Sequence, residues 1–315
     1  MKEFIHVIRI TGDLVKNELS EFKNKKGIDA IGGVLTLRTE DGSEHEVNFY
    51  SDKYKTDESG NVTSEEKYFY KEYKKYMDML RDLTNCKEGE RPDVISITDG
   101  TFRFNPFKSK KTNKVFESNK INARFINVED PKDYDSVEKM ATFEIEGMVD
   151  SIQEEMKNDV LTGNLIVNIN VISQIQRDYK KEDSYEVSSI FPVKTIVDKS
   201  IAGAFREAGY YEGCFSKFVG TIVNMAETDT IVEKQNFGQD IVKKVTRNIR
   251  KNELKSASEV LTIYDKELTD DIIDALKEKK KQVLEEVKLD KSKTAEGFTA
   301  DKSTPAPSTN YNPFK

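Results

Sequence analysis

Apolar residues occupy alternate positions from Phe4 to Ile10, the period of a β-strand with one buried face. Thr11-Gly12-Asp13 reads as a bend, and a polar stretch runs from Lys16 to Lys26. Strand character resumes from Ala30 to Arg38, where Gly32-Gly33 predicts a bulge or a strongly bent strand. Asp41-Gly42 is a hairpin signal, and Glu46 to Tyr50 alternates again. The period then changes. From Ser64, placed as a helix N-cap, Phe69, Tyr73, Tyr76, Met77 and Leu80 recur at three- and four-residue steps, which predicts an amphipathic helix with an aromatic core stripe. Strand patterns return at Asp93–Ile97 with Gly100–Phe107, and at Val115–Val128, separated by a basic loop.

The second half repeats this order. Phe143–Val149, Leu165–Ile172 and Tyr185–Val193 predict three strands, Val197–Ala208 a short helix closed by Gly209, and Phe215–Met225 and Ile241–Ile249 two more strands. Five strands with a helix between the third and fourth is the order of the OB-fold, a small Greek-key barrel. The expected fold is therefore mainly β (α+β): two tandem OB-type five-stranded barrels at 1–130 and 131–260. A C-terminal helix at 261–289 carries the stripe Ile272, Ile273, Leu276, Val283, Leu284 and Val287. The Ser-, Lys-, Thr- and Pro-rich stretch 290–315 reads as a disordered tail.

Charge alters this picture locally. Lys and Arg number 50 against 57 Asp and Glu, for a net charge of −7, which argues against coating of nucleic acid by bulk charge. Yet Arg103, Lys108, Lys110, Lys111, Lys114, Lys120 and Arg124 share their segment with Glu117 alone, and Lys243, Lys244, Arg247, Arg250 and Lys251 follow one another without an acid. Two basic segments on an acidic body suggest local anion recognition; solvated strand faces are the plain alternative. No apolar run is long enough to span a bilayer, and Met1 to Val7 lacks the layout of a secretory signal. Cys86 and Cys214 lack a CxxC partner, which fits a reducing cytoplasm.

Catalytic signatures are missing. Neither phosphate-cradling glycine motif occurs, and His6 and His45, the two histidines, have no ligand-spaced partners. A non-enzymatic protein without cofactor or metal is expected. Single-stranded nucleic acid is held by cations that track phosphates and by aromatic faces that stack on bases. Phe107 interleaved with Lys108, Lys110, Lys111 and Lys114 in the loop between strands 4 and 5 is the foremost candidate, with Arg103 before it. The corresponding loop of the second half offers Phe237, followed by Lys243, Lys244, Arg247 and Arg250, on a strand expected to project beyond its barrel. Tyr50 and Tyr54 after strand 3, and Arg177, Tyr179 and Lys180, complete the set, while Phe49 and Phe191 are read as core.

The segment from about Phe102 to Thr228 also resembles the single-stranded-DNA-binding proteins of phages and prophages of Gram-positive bacteria. The resemblance lies in Asn122-Ala123-Arg124-Phe125-Ile126-Asn127-Val128, Ala141–Gly147, Leu161–Val167, the Ala204-Phe205 helix with Gly209–Gly213, and Phe218–Asn224. It implies a helix-destabilising or protective role on single-stranded DNA in phage replication and recombination, in the host cytoplasm. Pro313-Phe314 resembles the partner-recruiting ending of many such proteins, although Lys315 follows it and Asn310 to Asn312 are not acidic. A virion or tail component with β-barrel domains, and an RNA-binding OB protein, remain the alternative readings.

Overall fold

A computed structural model describes residues 3–57, 61–157, 159–176, 184–233, 237, 241–261, 268–289 and 294–295, with backbone alone for 227–233, 241–245, 247, 294 and 295. The first half contains β1 (His6–Asn17), β2 (Ser20–Lys23), β3 (Asp29–Arg38), β4 (Glu44–Asp52), β5 (Tyr54–Thr56), β6 (Val62–Glu66) and α1 (Tyr68–Met79). It continues with β7 (Val94–Phe104), β8 (Phe107–Ser109), β9 (Val115–Phe116), β10 (Asn119–Asn122) and β11 (Asn127–Val128). The second half contains β12 (Ala141–Lys157), β13 (Val160–Gln176), β14 (Tyr185–Val197), α2 (Lys199–Glu207), β15 (Phe215–Glu233) and β16 (Ile241–Ala257), followed by α3 (Asp270–Leu289) and β17 (Thr294–Ala295).

Alternation decides which faces turn inward. Ile8, Ile10 and Leu14 of β1, Leu35 and Leu37 of β3, Val47 and Phe49 of β4 and Ile95 and Phe102 of β7 are all buried in one cluster. β1 pairs antiparallel with β3, β3 with β4, and β7 with both β1 and β10, while β10 runs parallel to β4. Those pairings close a five-stranded barrel. α1 packs on it through Tyr70 and Tyr73, and the Tyr73 hydroxyl donates to the Arg124 carbonyl at 2.7 Å. The helix begins later than its pattern predicts. Val62–Glu66 pairs with Tyr54–Thr56 as a hairpin, so Ser64 is a strand residue and Lys67 holds the N-cap position without a side-chain capping bond. The strand expected over Val115–Val128 is likewise broken into β9, β10 and β11.

The second half pairs in the same cyclic order: β12 with β13, β13 with β14, β14 parallel to β16, β16 with β15, and β15 back to β12. The correspondence extends to close contacts. A Cβ on Gly12 would stand 2.6 Å from the Arg38 carbonyl oxygen, and one on Gly147 2.7 Å from that of Asn170. Gly100 lies opposite Ile8 and Gly220 opposite Phe143, both too near their partners for a side chain. Ile8 and Phe143 are themselves register partners where β1 meets β12 antiparallel, so the two first strands join the halves about a local approximate two-fold.

This arrangement makes each half lean on the other. Phe104 stacks on Phe191 at 6.0 Å, and Asn119 Nδ2 donates to the Pro192 carbonyl at 2.8 Å. On the other side the Asn224 amide donates to Ser43 Oγ at 3.1 Å. β15 and β16 stay paired out to Glu233 and Ile241, far past the rows that pair with β12 and β14, forming a two-stranded arm. α3 is seated on the second half rather than appended to it. Leu268, Ile273 and Leu276 share a cluster with Phe4, Ile172, Ile190 and Phe215.

Candidate nucleic-acid interface

The outer face of β4 carries Tyr50, with half of its surface exposed (52%). Its neighbour across the sheet is Gly32, whose bare backbone lets the ring lie over β3: a Cβ there would be 3.4 Å from Tyr50 Cδ2. The Tyr50 hydroxyl donates to Asp52 at 2.5 Å and accepts from Asn24 Nδ2 at 3.3 Å. Asn24 also organises the turn after β2, its Oδ1 accepting from the Lys26 and Ile28 amides. Burial and the Asp52 hydrogen bond both push the Tyr50 pKa up, so the ring stays neutral at ordinary pH.

Phe22 stands on β2, 42% exposed, its ring centroid 6.1 Å from that of Tyr50 and tilted by 47°. Lys23, Lys25 and Lys26 are exposed around the same turn, Lys23 paired with Asp29 at 2.8 Å. Two open aromatic faces beside several cations are what a nucleobase–phosphate chain needs. Phe22 was not among the residues singled out from the sequence. Its signal was an aromatic set among lysines in the loop joining strands 1 and 2. Tyr54, by contrast, is half-buried beneath the Lys53 ammonium, 5.2 Å from its centroid.

A second aromatic group lies at the N-terminal end of α1, where Phe69 belongs to the stripe read as core and packs against the core cluster. Exposed Tyr68 meets Phe69 at 5.4 Å, Phe69 meets Phe125 at 5.2 Å, and the Arg124 guanidinium sits 5.7 Å from the Phe125 centroid. Asp99 Oδ2 holds Arg124 at 3.4 Å.

The foremost sequence candidate is folded more tightly than a loop. Phe107 and Phe116 face each other at 5.7 Å across the β8–β9 hairpin, leaving Phe107 half-buried instead of exposed. Lys108 Nζ donates to the Lys288 carbonyl at 2.9 Å. Lys110, Lys111 and Lys114 are exposed along the hairpin turn. Arg103 points at the second half, donating to Ser173 Oγ at 3.1 Å, and burial lowers its pKa. His6, next to it, accepts from the Phe102 amide at 2.9 Å between the rings of Phe102 and Phe191. Burial and then the Arg103 charge drive its pKa down to about 3, so it is neutral there.

In the second half Phe237 is 98% exposed near the tip of the arm. The backbone places Lys243, Lys244 and Arg247 on β16 opposite Ile231, Thr230 and Glu227. Arg250 is exposed nearer the barrel, opposite Asn224. Arg177, Tyr179, Lys180, Pro313 and Phe314 lie outside the described residues. The structure thus brings Tyr50 together with Phe22, gathers Phe107 and its lysines on one hairpin, and sets the β16 cations on a separate arm.

The fold and this face define a mainly β protein with a five-stranded barrel that exposes aromatic rings beside lysines. The chain belongs to the YorF family, whose model matches residues 6–290. No curated protein matches it. Among solved structures it is similar to the wild-type single-stranded-DNA-binding protein of Thermus aquaticus, at 10% identity and a TM-score of 0.45 over 82% of this chain and 95% of that one. A deletion mutant of the same protein gives 11% identity and 0.44 over 83% and 97%. A replication protein A heterotrimer bound to single-stranded DNA gives 11% and 0.20 over 79% and 49%. Among the described residues no helix is long and apolar enough to cross a membrane.

Proposed function

We propose that this protein binds single-stranded DNA without sequence preference, as a non-catalytic coat that protects it in phage replication or recombination in the host cytoplasm. Both halves are read as OB-type barrels in tandem. The observation that carries the proposal is the Phe22–Tyr50 pair, two open rings 6.1 Å apart where β2, in the loop joining barrel strands 1 and 2, meets the outer face of β4, with Lys23, Lys25 and Lys26 exposed at the adjoining turn. Aromatic faces accept any base, which suits binding without sequence preference. The phage setting rests on the sequence resemblance alone.

Fluorescence anisotropy with a dT oligonucleotide, a matched duplex and RNA at two salt concentrations tests the proposal. Tighter binding to the single strand, weakening steeply with salt through counterion release, is expected. Equal affinity for duplex, or no binding at low salt, overturns it; a clear preference for RNA reassigns the ligand.

A further inference from the structure

We infer that the last turns of α3, together with β17, are a latch closed over the basic hairpin β8–β9, and that single-stranded nucleic acid competes with this latch for the hairpin. The inference rests on the nucleic-acid-binding reading above and names a regulation of it.

One contact of the latch with the hairpin imitates a nucleic-acid backbone, and others hold it in place. A helix C-terminus carries about half a negative charge on its unpaired carbonyls. The Lys288 carbonyl sits there and takes the Lys108 ammonium at 2.9 Å, the place a phosphate oxygen would fill. Lys280 reaches Glu117 at 2.9 Å, the one acid between Arg103 and Arg124, and lies 5.8 Å from the Phe104 centroid. Beyond the helix, Thr294 and Ala295 pair with Lys108 and Ser109, covering the β8 edge with backbone.

The two ends of α3 are held differently. Toward its start, Leu268, Ile273 and Leu276 are sunk in an apolar cluster, and Lys279 donates to the Ser188 carbonyl at 2.9 Å. From Lys280 onward Val287 alone is buried, Val283 and Leu284 are half-buried, and Glu285, Glu286, Lys288 and Leu289 are exposed. Ion pairs partly open to water contribute little each. The far end can therefore leave while the near end stays seated, with the hinge near Lys279 and Lys280. The hairpin keeps its shape without the latch, because Phe107–Phe116 stacking and the Ser109 amide to Lys114 carbonyl bond (2.9 Å) are internal to it.

The test uses the full chain and a dT oligonucleotide. In hydrogen exchange, amides of 281–289 should exchange faster once the oligonucleotide is bound, while those of 107–116 slow. Val287→Asp should open the latch in advance and raise affinity about tenfold if about a tenth of the protein is open at rest; adding Lys108→Glu should cancel that gain. Oligonucleotide binding with 281–289 unchanged or slower, or a Val287→Asp affinity equal to the parent's, overturns the latch and leaves the proposed function standing. Absence of binding by both proteins takes down both.

Discussion

The two halves share a scaffold and differ on their surfaces. Gly12 and Gly147 admit the same carbonyl approach, Gly100 and Gly220 face the same position of the first strand, and the strands pair in the same cyclic order. Outside that frame little corresponds. The first half bears Phe22 and Tyr50 on its open face. The second half bears α3 on an apolar patch and sends a long arm past the β3–β4 turn. The halves thus share the contacts that order their strands and differ on their outer faces, so function must be argued from each surface separately.

The shared scaffold can be broken most sharply at its glycines. At Gly220 a Cβ would lie 2.2 Å from the Glu253 carbonyl oxygen and 2.5 Å from Phe143 Cζ, whereas at Gly100 the nearest atom, the Ile8 carbonyl oxygen, is 2.9 Å away. Gly220→Ala should cost about 3 kcal/mol of stability, near the upper end for overpacking, and Gly100→Ala clearly less. Urea unfolding of both variants checks this. Equal costs would show that the two seams are packed alike and that the tighter second seam is not a real difference between the halves.

The divergence of the surfaces is sharpened by truncating rings. Tyr50→Ala and Phe22→Ala should each weaken dT binding by roughly 1–3 kcal/mol, with melting temperatures nearly unchanged because both rings are exposed. Lys194→Ala, on the outer face of β14, serves as the second-half control and should cost less than about 1 kcal/mol. If Lys194→Ala costs as much as Tyr50→Ala, the track runs over both halves equally.

Much of this fold was legible because local periods reported it. Alternation marked Phe49 and Phe191 as core, and the three-and-four spacing marked Tyr73 and the α3 stripe, since each pattern reflects burial against the nearest sheet. What escaped depended on distant partners. Ser64 looked like a cap until Tyr54–Thr56 recruited its segment into a strand. Phe107 looked exposed because Phe116 and α3, which cover its hairpin, are remote or follow a turn the pattern does not fix. Phe22 sat in a stretch polar enough to read as plain loop, and Tyr50 alone gave no hint that the two rings meet.

The smallest expected effect, acid weakening of the first half, has a definite sign. Both histidines belong to that half. His45 is buried, its Nε2 3.3 Å from Thr39 Oγ1, and burial outweighs the nearby Asp41 charge to bring its pKa down to about 4. An unfolded histidine titrates near 6.5. Between those values the unfolded chain binds the extra proton, so stability is full above about pH 6.5 and falls as pH drops toward 4. From pH 7 to 5.5 the loss from His45 is about 1 kcal/mol, above the range where most carboxylates respond. His6, its pKa driven down by burial and then by the Arg103 charge, adds a loss of the same sign. Unfolding at the two pH values, followed by hydrogen exchange on β1–β4 and β12–β14, locates the effect: β1–β4 should lose protection first. His45→Gln should flatten the pH dependence by about that 1 kcal/mol. A pH slope unchanged in His45→Gln would remove His45 as its source, and protection lost first in β12–β14 would place the acid-sensitive element in the second half and reverse the comparison.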